Sequence, residues 1–322
     1  MRAIVCQQYG PPEDLTLQEL PDPTPGPGTV VVRVRAAAVN FPDVLLIDGR
    51  YQLQIPTPFT PGSELAGDVI AVGDGVALQP GDRVVGTSFV GAFAEQALLP
   101  AAGVSKIPDG IDYAPAAGFG VTYRTAYHAL RSIARVAPDD AVVVLGAAGG
   151  VGLAAVDLGV ALGARVIAAA SSPDKLAVCT RRGAHAVIDY DREDLKTRIK
   201  EITGDGAQAV LDPVGGSYAE PALRSLARGG RFVTLGYASG SIPSIPLNLV
   251  MLKGITVVGM EIRTFAEDFP TENARDLAEL AELFADGRVS PYIGARFPLE
   301  QTATALRYVA DRKAIGKVII DV

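Results

Sequence analysis

Residues 142–156 read VVVLGAAGGVGLAAV, and they decide what kind of fold this chain adopts. The run VVVL is apolar throughout, as a strand covered on both faces requires. A tight glycine turn follows, then a helix start built from small residues. Strand, glycine turn and helix in that order form the dinucleotide-binding turn. Against G-x-G-x-x-G the segment aligns Ala147, Ala148, Gly149, Gly150, Val151 and Gly152, so alanine stands at the first glycine. Gly149 allows a pyrophosphate to approach backbone N–H groups, and Gly152 allows the helix to pack close to the strand. A turn that binds nothing can carry the same glycines, so the setting must decide.

The setting is an alternation of strands and helices. After residues 141–146 come the helix 153–163, the strand RVIAAA at 165–170 and a helix over 174–182. HAVIDY at 185–190, a charged helix over 192–202, AQAVLDPV at 207–214 and a helix over 217–228 follow. RFVTLG at 231–236 and ITVVGM at 255–260 complete the series. Strand–helix–strand repeats make right-handed crossovers on a parallel sheet. We assign residues 121–262 to a doubly wound α/β domain.

The flanks have another texture. Residues 1–115 hold short strand-like runs such as VVVRVRAAAV (30–39), GDVIAVG (67–73) and DRVVG (82–86), punctuated by Pro/Gly clusters. This is the pattern of an irregular β domain. An amphipathic helix is expected over 272–287, with Leu277, Leu280, Ala281 and Phe284 on one stripe. The tail after it ends in an apolar strand, expected to rejoin the first domain and make it discontinuous.

Bulk properties exclude several classes. The chain has 322 residues, 48% of them hydrophobic, and a formal net charge of −7. That length supports two cores, and the acidic balance without a Lys/Arg run argues against nucleic acid as a partner. No run approaches the ~18 apolar residues of a spanning helix, and the N-terminus lacks a signal-peptide pattern. Cys6 and Cys179 stand far apart and give no disulfide framework, so a reduced, cytoplasmic setting is expected.

The second strand selects the nucleotide. NAD sites usually place Asp or Glu about 20 residues beyond the glycine turn, on the ribose 2′-OH. Here the strand ends in Ala170, Ser171 and Ser172, with Lys175 close behind. Hydroxyls and a cation suit a 2′-phosphate, which a carboxylate would repel. Asp174 is the nearest acid, but Pro173 is expected to start a helix that carries it away. Lys175 can also be read as an ordinary solvated helix residue. NADPH is the expected cofactor.

Taken together, AAAVNFPD (36–43), PGSELAG (61–67), AVGDGV (71–76), GDRVVG (81–86), VTYRTAYHAL (121–130), GAAGGVGLAA (146–155) and IGKVII (315–320) resemble the medium-chain dehydrogenase/reductase superfamily. Within it the chain is similar to the zinc-free, zeta-crystallin-like quinone oxidoreductases. The resemblance implies a GroES-like β-rich substrate domain (1–120 and 263–322), interrupted by a Rossmann domain (121–262), with the active site in the cleft between them. It implies Ser171, Lys175, Tyr190 and Arg312 around the 2′-phosphate, and Asn40 and Thr125 at the nicotinamide end. It further implies Gly149, Gly150 and Val151 at the pyrophosphate, and Gly236 and Tyr237 beside the cofactor. Tyr190 also reads as an aromatic closing a strand. A homodimer paired through edge strands such as residues 255–260 is implied as well.

Zinc enzymes of the superfamily carry Cys where this chain has Asn40, and GHE where it has GSE, which puts Ser63 at the second ligand position. The third position falls near Gly118, and the four-cysteine lobe is missing. Amide and hydroxyl compete poorly with thiolate and imidazole for zinc. The two histidines, His128 and His185, are expected at the domain junction and at a strand edge. No metal is expected.

Hydride chemistry without a metal favours acceptors already polarised by conjugation: quinones, or alternatively enones and enoyl or acryloyl thioesters. A nucleotide-binding protein without turnover is the reading from another class. Asn40, Asp43 and Tyr51 are the candidate helpers in the substrate pocket, Tyr51 serving as proton donor, as aromatic wall or as plain packing. Glu64, inside PGSELAG, is read as a structural charge needing a buried partner, with an active-site acid as the alternative.

Overall fold

A computed structural model describes residues 1–322. The chain forms two compact units: Met1–Val121 together with Ser290–Val322, and Thr122–Val289.

The first unit is built on a seven-stranded sheet. Its order is Ile293–Pro298, Lys317–Asp321, Thr29–Val39, Glu64–Val72, Arg83–Thr87 and Val104–Lys106, with Gln96–Pro100 also paired to Thr29–Val39. The long strand Thr29–Val39 organises it, alternating buried valines with exposed Arg33 and Arg35 before ending in buried alanines. The C-terminal strand lies antiparallel to it, Val318 opposite Val39 and Asp321 opposite Ala36. Val32, Ile47, Leu65, Phe93 and Ile320 share one core. At roughly 25 cal/mol per Å² of apolar surface, each such side chain stabilises the fold by about 1.5–3 kcal/mol.

The second unit is a parallel six-stranded sheet. Its order is Ala186–Asp189, Arg165–Ala170, Ala141–Leu145, Ala207–Asp212, Leu226–Thr234 and Thr256–Gly259. The unit's first strand, Ala141–Leu145, is thus internal, and the order reverses beside it. Open sheets of this kind bind ligands at the carboxyl ends of their strands, at that reversal. Residues 141–145 are buried throughout, which is why this run carries no polar residue.

Three expectations need correction. The helix expected over 217–228 stops at Arg224, and Leu226 already starts a strand opposite Ala207. The segment 263–289, expected with the first unit, belongs to the second. Its helix Pro270–Ala285 is tied to residues 127–132: Asp276 binds His128 and Ser132, and Glu279 binds Tyr127 and Arg131. Its buried face is Asp276, Leu280, Leu283 and Phe284, so the stripe is rotated away from Ala281, which is exposed. The rotation turns Asp276 towards those polar partners, which apolar periodicity alone does not register.

Candidate functional site

The glycine turn follows the strand Ala141–Leu145 directly. Gly146 takes the left-handed conformation, φ 56°, so the tight turn sits one residue ahead of the motif's first glycine. That is why Ala147 is tolerated: it is fully buried, and its N–H donates to Ala169 O at 3.0 Å. The helix Gly150–Ala161 starts from Gly149 with no side chain capping it, leaving its first turn to backbone groups and their positive dipole end. A Cβ on Gly152 would stand 2.2 Å from Gly146 O, so glycine is compelled there by packing. An uncapped helix start at the carboxyl end of an internal strand fits a pyrophosphate.

Ser171, Ser172, Lys175 and Tyr190 come together at the neighbouring strand ends. Ser172 N-caps the helix Pro173–Arg181, its Oγ accepting from Lys175 N at 3.4 Å. Lys175 Nζ donates to Ser171 Oγ at 3.1 Å. Tyr190 N–H donates to Ala170 O, and its ring packs on Tyr218 with centroids 4.2 Å apart. Asp174 is exposed on the helix. Gly236 and Tyr237 follow the strand Leu226–Thr234, with Tyr237 against Gly215, where a Cβ would meet the ring at 2.8 Å. Val151 and Thr125 are half-buried, in the helices Gly150–Ala161 and Gly120–His128. Arg312 belongs to the first unit, exposed in a left-handed turn (φ 58°) after the helix Thr302–Ala310.

Within the first unit Asn40, Asp43, Ser63, Glu64 and Lys317 form a polar cluster. Asn40 precedes the helix Phe41–Ile47, and its N–H donates to Asp43 Oδ2 at 2.7 Å, half of a capping box. Its carboxamide is spent elsewhere. Nδ2 donates to Glu64 Oε1 at 2.9 Å and Ser63 Oγ at 3.3 Å, while Oδ1 accepts from Lys317 Nζ at 2.6 Å. Lys317 Nζ also donates to Glu64 Oε1 at 2.7 Å and Val39 O at 3.4 Å. Glu64 Oε2 accepts from Val121 N–H at 2.8 Å, in the first turn of the helix Gly120–His128. The partner that Glu64 requires is therefore Lys317, with Asn40 and a helix N-terminus completing its shell.

Asp43 is fully buried and its Oδ1 has no partner. Burial pushes its carboxyl up to about 7, against the pull of the Asn40 N–H, the Ser63 hydroxyl and the Lys317 charge. Tyr51 is half-buried, its ring 6.2 Å from that of Phe89.

The expected positions of zinc ligands can be tested directly. Asn40 and Ser63 are in the cluster, but the cation beside them is the Lys317 ammonium. Gly118 offers no donor, and a Cβ there would stand 3.2 Å from Lys317 Cγ. No three His, Cys, Asp or Glu side chains converge as metal ligands would. His128 is buried, with Nδ1 2.9 Å from Asp276 Oδ2 and its ring on Phe265; His185 is exposed. This donor set does not fit zinc.

Lys317 is the member of this cluster absent from the sequence-based expectations. The signal was there: a lysine opening the apolar run KVII, in a strand buried on both sides, must have a charged partner.

Two family models match the chain: the alcohol dehydrogenase GroES-like domain over residues 26–109 and the zinc-binding dehydrogenase over residues 150–279. The quinone oxidoreductase-like protein 2 homolog of Nematostella vectensis is 36% identical over 99% of this chain and 88% of its own length. The Escherichia coli quinone oxidoreductase solved as a complex with NADPH superimposes with TM-score 0.93 at 30% identity, covering both chains fully. The CurK enoyl reductase superimposes with TM-score 0.89 at 26% identity, over 99% of this chain and 98% of its own.

Proposed function

Because the chain belongs to the quinone oxidoreductase family of the medium-chain dehydrogenase/reductase superfamily, we propose that it reduces quinones with NADPH, by hydride transfer without a metal ion. The observation that carries this reading is the pairing of Lys175 with Ser171 at the end of a strand that bears no acid. In this reading Ser171, Ser172, Lys175, Tyr190 and Arg312 hold the 2′-phosphate. The helix start at Gly149, Gly150 and Val151 takes the pyrophosphate, with Gly236 and Tyr237 along the cofactor. Thr125 serves the nicotinamide end, and Asn40, its carboxamide committed to Lys317, Glu64 and Ser63, shapes that end without a free polar group of its own.

The bound cofactor supplies the hydride. The protein orients the acceptor and stabilises charge on its oxygen, and a quinone needs nothing more, since its product oxygens can take protons from water. A second reading, reduction of an enone or enoyl thioester, is supported by the likeness to an enoyl reductase. There the hydride goes to the β-carbon, and a donor at the carbonyl must stabilise the enolate. Tyr51, half-buried, lines the substrate pocket in either case, whereas Asp43 is fully buried and has no surface to offer an acceptor.

Stopped-flow oxidation of NADPH with a quinone series, an enone series and an acryloyl-thioester series tests the proposal. Preference for the quinones supports it, and clear preference for either other series replaces it with the second reading. Tight NADPH binding without oxidation by any acceptor would leave only a nucleotide-binding role. The same reading makes the protein a cytoplasmic homodimer, which the buried free thiols of Cys6 and Cys179 and the exposed sheet edge Thr256–Gly259 support.

A further inference from the structure

Lys317 is 2% exposed and donates to three acceptors, Asn40 Oδ1, Glu64 Oε1 and Val39 O. The direction of these bonds fixes the Asn40 carboxamide. Its oxygen faces an ammonium, and its two N–H groups face the Glu64 carboxylate and the Ser63 hydroxyl oxygen. A flipped amide would set N–H against ammonium and oxygen against carboxylate, so one orientation alone is allowed. A hydrogen-bond chain therefore runs from a buried cation through an amide to a hydroxyl, every link donating in the same direction. Such chains polarise their members cooperatively.

The chain has one outlet. Asn40, Asp43, Glu64 and Lys317 are each at most 5% exposed, whereas Ser63 is half-buried. Ser63 Oγ is already an acceptor, which leaves its own O–H to donate, either inward to the Asp43 carboxyl or outward to a ligand. We propose that Lys317 is a positioning residue that stands in for the charge of a metal ion: acting through Asn40, it presents the Ser63 hydroxyl as the donor to the acceptor oxygen that gains charge as hydride arrives. This rests on the proposed hydride reduction and identifies the group that meets the carbonyl. An oriented donor aimed at developing negative charge lowers the barrier more than the same group in water, because no reorganisation is needed.

The test uses Lys317→Met combined with Glu64→Gln, which removes the cation without leaving a carboxylate buried and unpaired, alongside Ser63→Ala and the triple variant. Circular dichroism and NADPH affinity report folding. The hydride step is followed in single turnover, and the binding of a substituted phenol is followed by ultraviolet difference spectroscopy as a reporter of oxyanion stabilisation. We expect the double variant and Ser63→Ala each to slow hydride transfer by about 10- to 100-fold, with KM for the quinone changed less than about threefold. The triple variant falls no further, because the three groups act as one chain. Wild type binds the phenolate in preference to the phenol, and both variants lose that preference. A double variant within about twofold of wild type in rate, or losses that multiply in the triple variant, would overturn the inference. If wild type reduces no acceptor, the functional reading fails, and retention or loss of phenolate preference in the variants then decides this inference.

Discussion

Lys317 Nζ and Glu64 Oε1 stand 2.7 Å apart, with the lysine side chain 3% and the glutamate 0% exposed. The pair joins the C-terminal strand to the strand Glu64–Val72 of the same unit, and Asn40 bonds to both members. Desolvating two charges is costly, so the pair adds little net stability of its own accord. Removing one member alone leaves an uncompensated charge in the interior. We therefore expect Glu64→Ala to destabilise the protein by about 3–5 kcal/mol, measured by denaturant unfolding. We expect Glu64→Ala with Lys317→Met to recover much of that loss. A single variant within about 1 kcal/mol of wild type would show that water or rearrangement compensates the lysine.

Asp43 makes a pH-dependent contribution of unusual sign. Its folded-state value, raised by burial to about 7, lies above its ordinary value of 3.8. Between these two the folded protein holds a proton that the unfolded chain has released, so stability falls as pH rises through that window. The penalty is complete above about pH 7 and absent below about pH 4. Asp43→Asn keeps an acceptor for the Asn40 N–H and removes the penalty. At roughly 1.4 kcal/mol per pK unit, we expect the variant to gain up to about 4 kcal/mol at pH 8 and nothing near pH 4. A wild-type-to-variant difference in Tm that is flat with pH would refute this. Glu64 and Lys317 face the same group, so the comparison is best repeated in the Glu64→Gln/Lys317→Met background.

Lys175 Nζ is held on Ser171 Oγ at 3.1 Å, which fixes a cation beside two hydroxyls where NAD sites place an acid. Charge-assisted bonds to phosphate are about twice as strong as neutral ones, and only NADPH offers the phosphate. We expect Lys175→Ala to weaken NADPH binding by about tenfold or more and NADH binding by less than about twofold. Arg312→Ala is expected to act in the same direction. Equal losses for both nucleotides, by fluorescence titration, would show that neither cation meets the 2′-phosphate.

What was legible in sequence follows from where one residue type suffices. The run VVVL and the glycines at 149 and 152 specify a buried strand and a close helix approach, and Gly152 meets Gly146 O as that reading requires. Ser172 and Pro173 start a helix by the ordinary capping rule, which also places Asp174 on its exposed face. The polar cluster was less legible, because its meaning lies in pairings across hundreds of residues. Glu64 reads as a charge in need of a partner, but nothing local names Lys317, 253 positions away. The same limit moved the second unit's end to Val289. The helix Pro270–Ala285 follows Asp276 and Glu279 to their partners on residues 127–132, whereas apolar spacing alone places its stripe one position off.

The strand Thr256–Gly259 pairs on one side only, with Leu226–Thr234. Val257 on it is 42% exposed, and Leu247, Met251 and Leu252 of the helix Leu247–Lys253 are 79%, 74% and 61% exposed. An unpaired edge beside apolar side chains is an aggregation hazard unless a partner covers it, and a second copy presents the identical edge in a closed twofold arrangement. We expect sedimentation velocity to find a dimer at micromolar concentration. Val257→Lys combined with Leu247→Lys puts charge on the face that would meet its own copy and should yield monomers with unchanged NADPH affinity. A wild-type monomer, or a double variant that remains dimeric, would move the interface elsewhere.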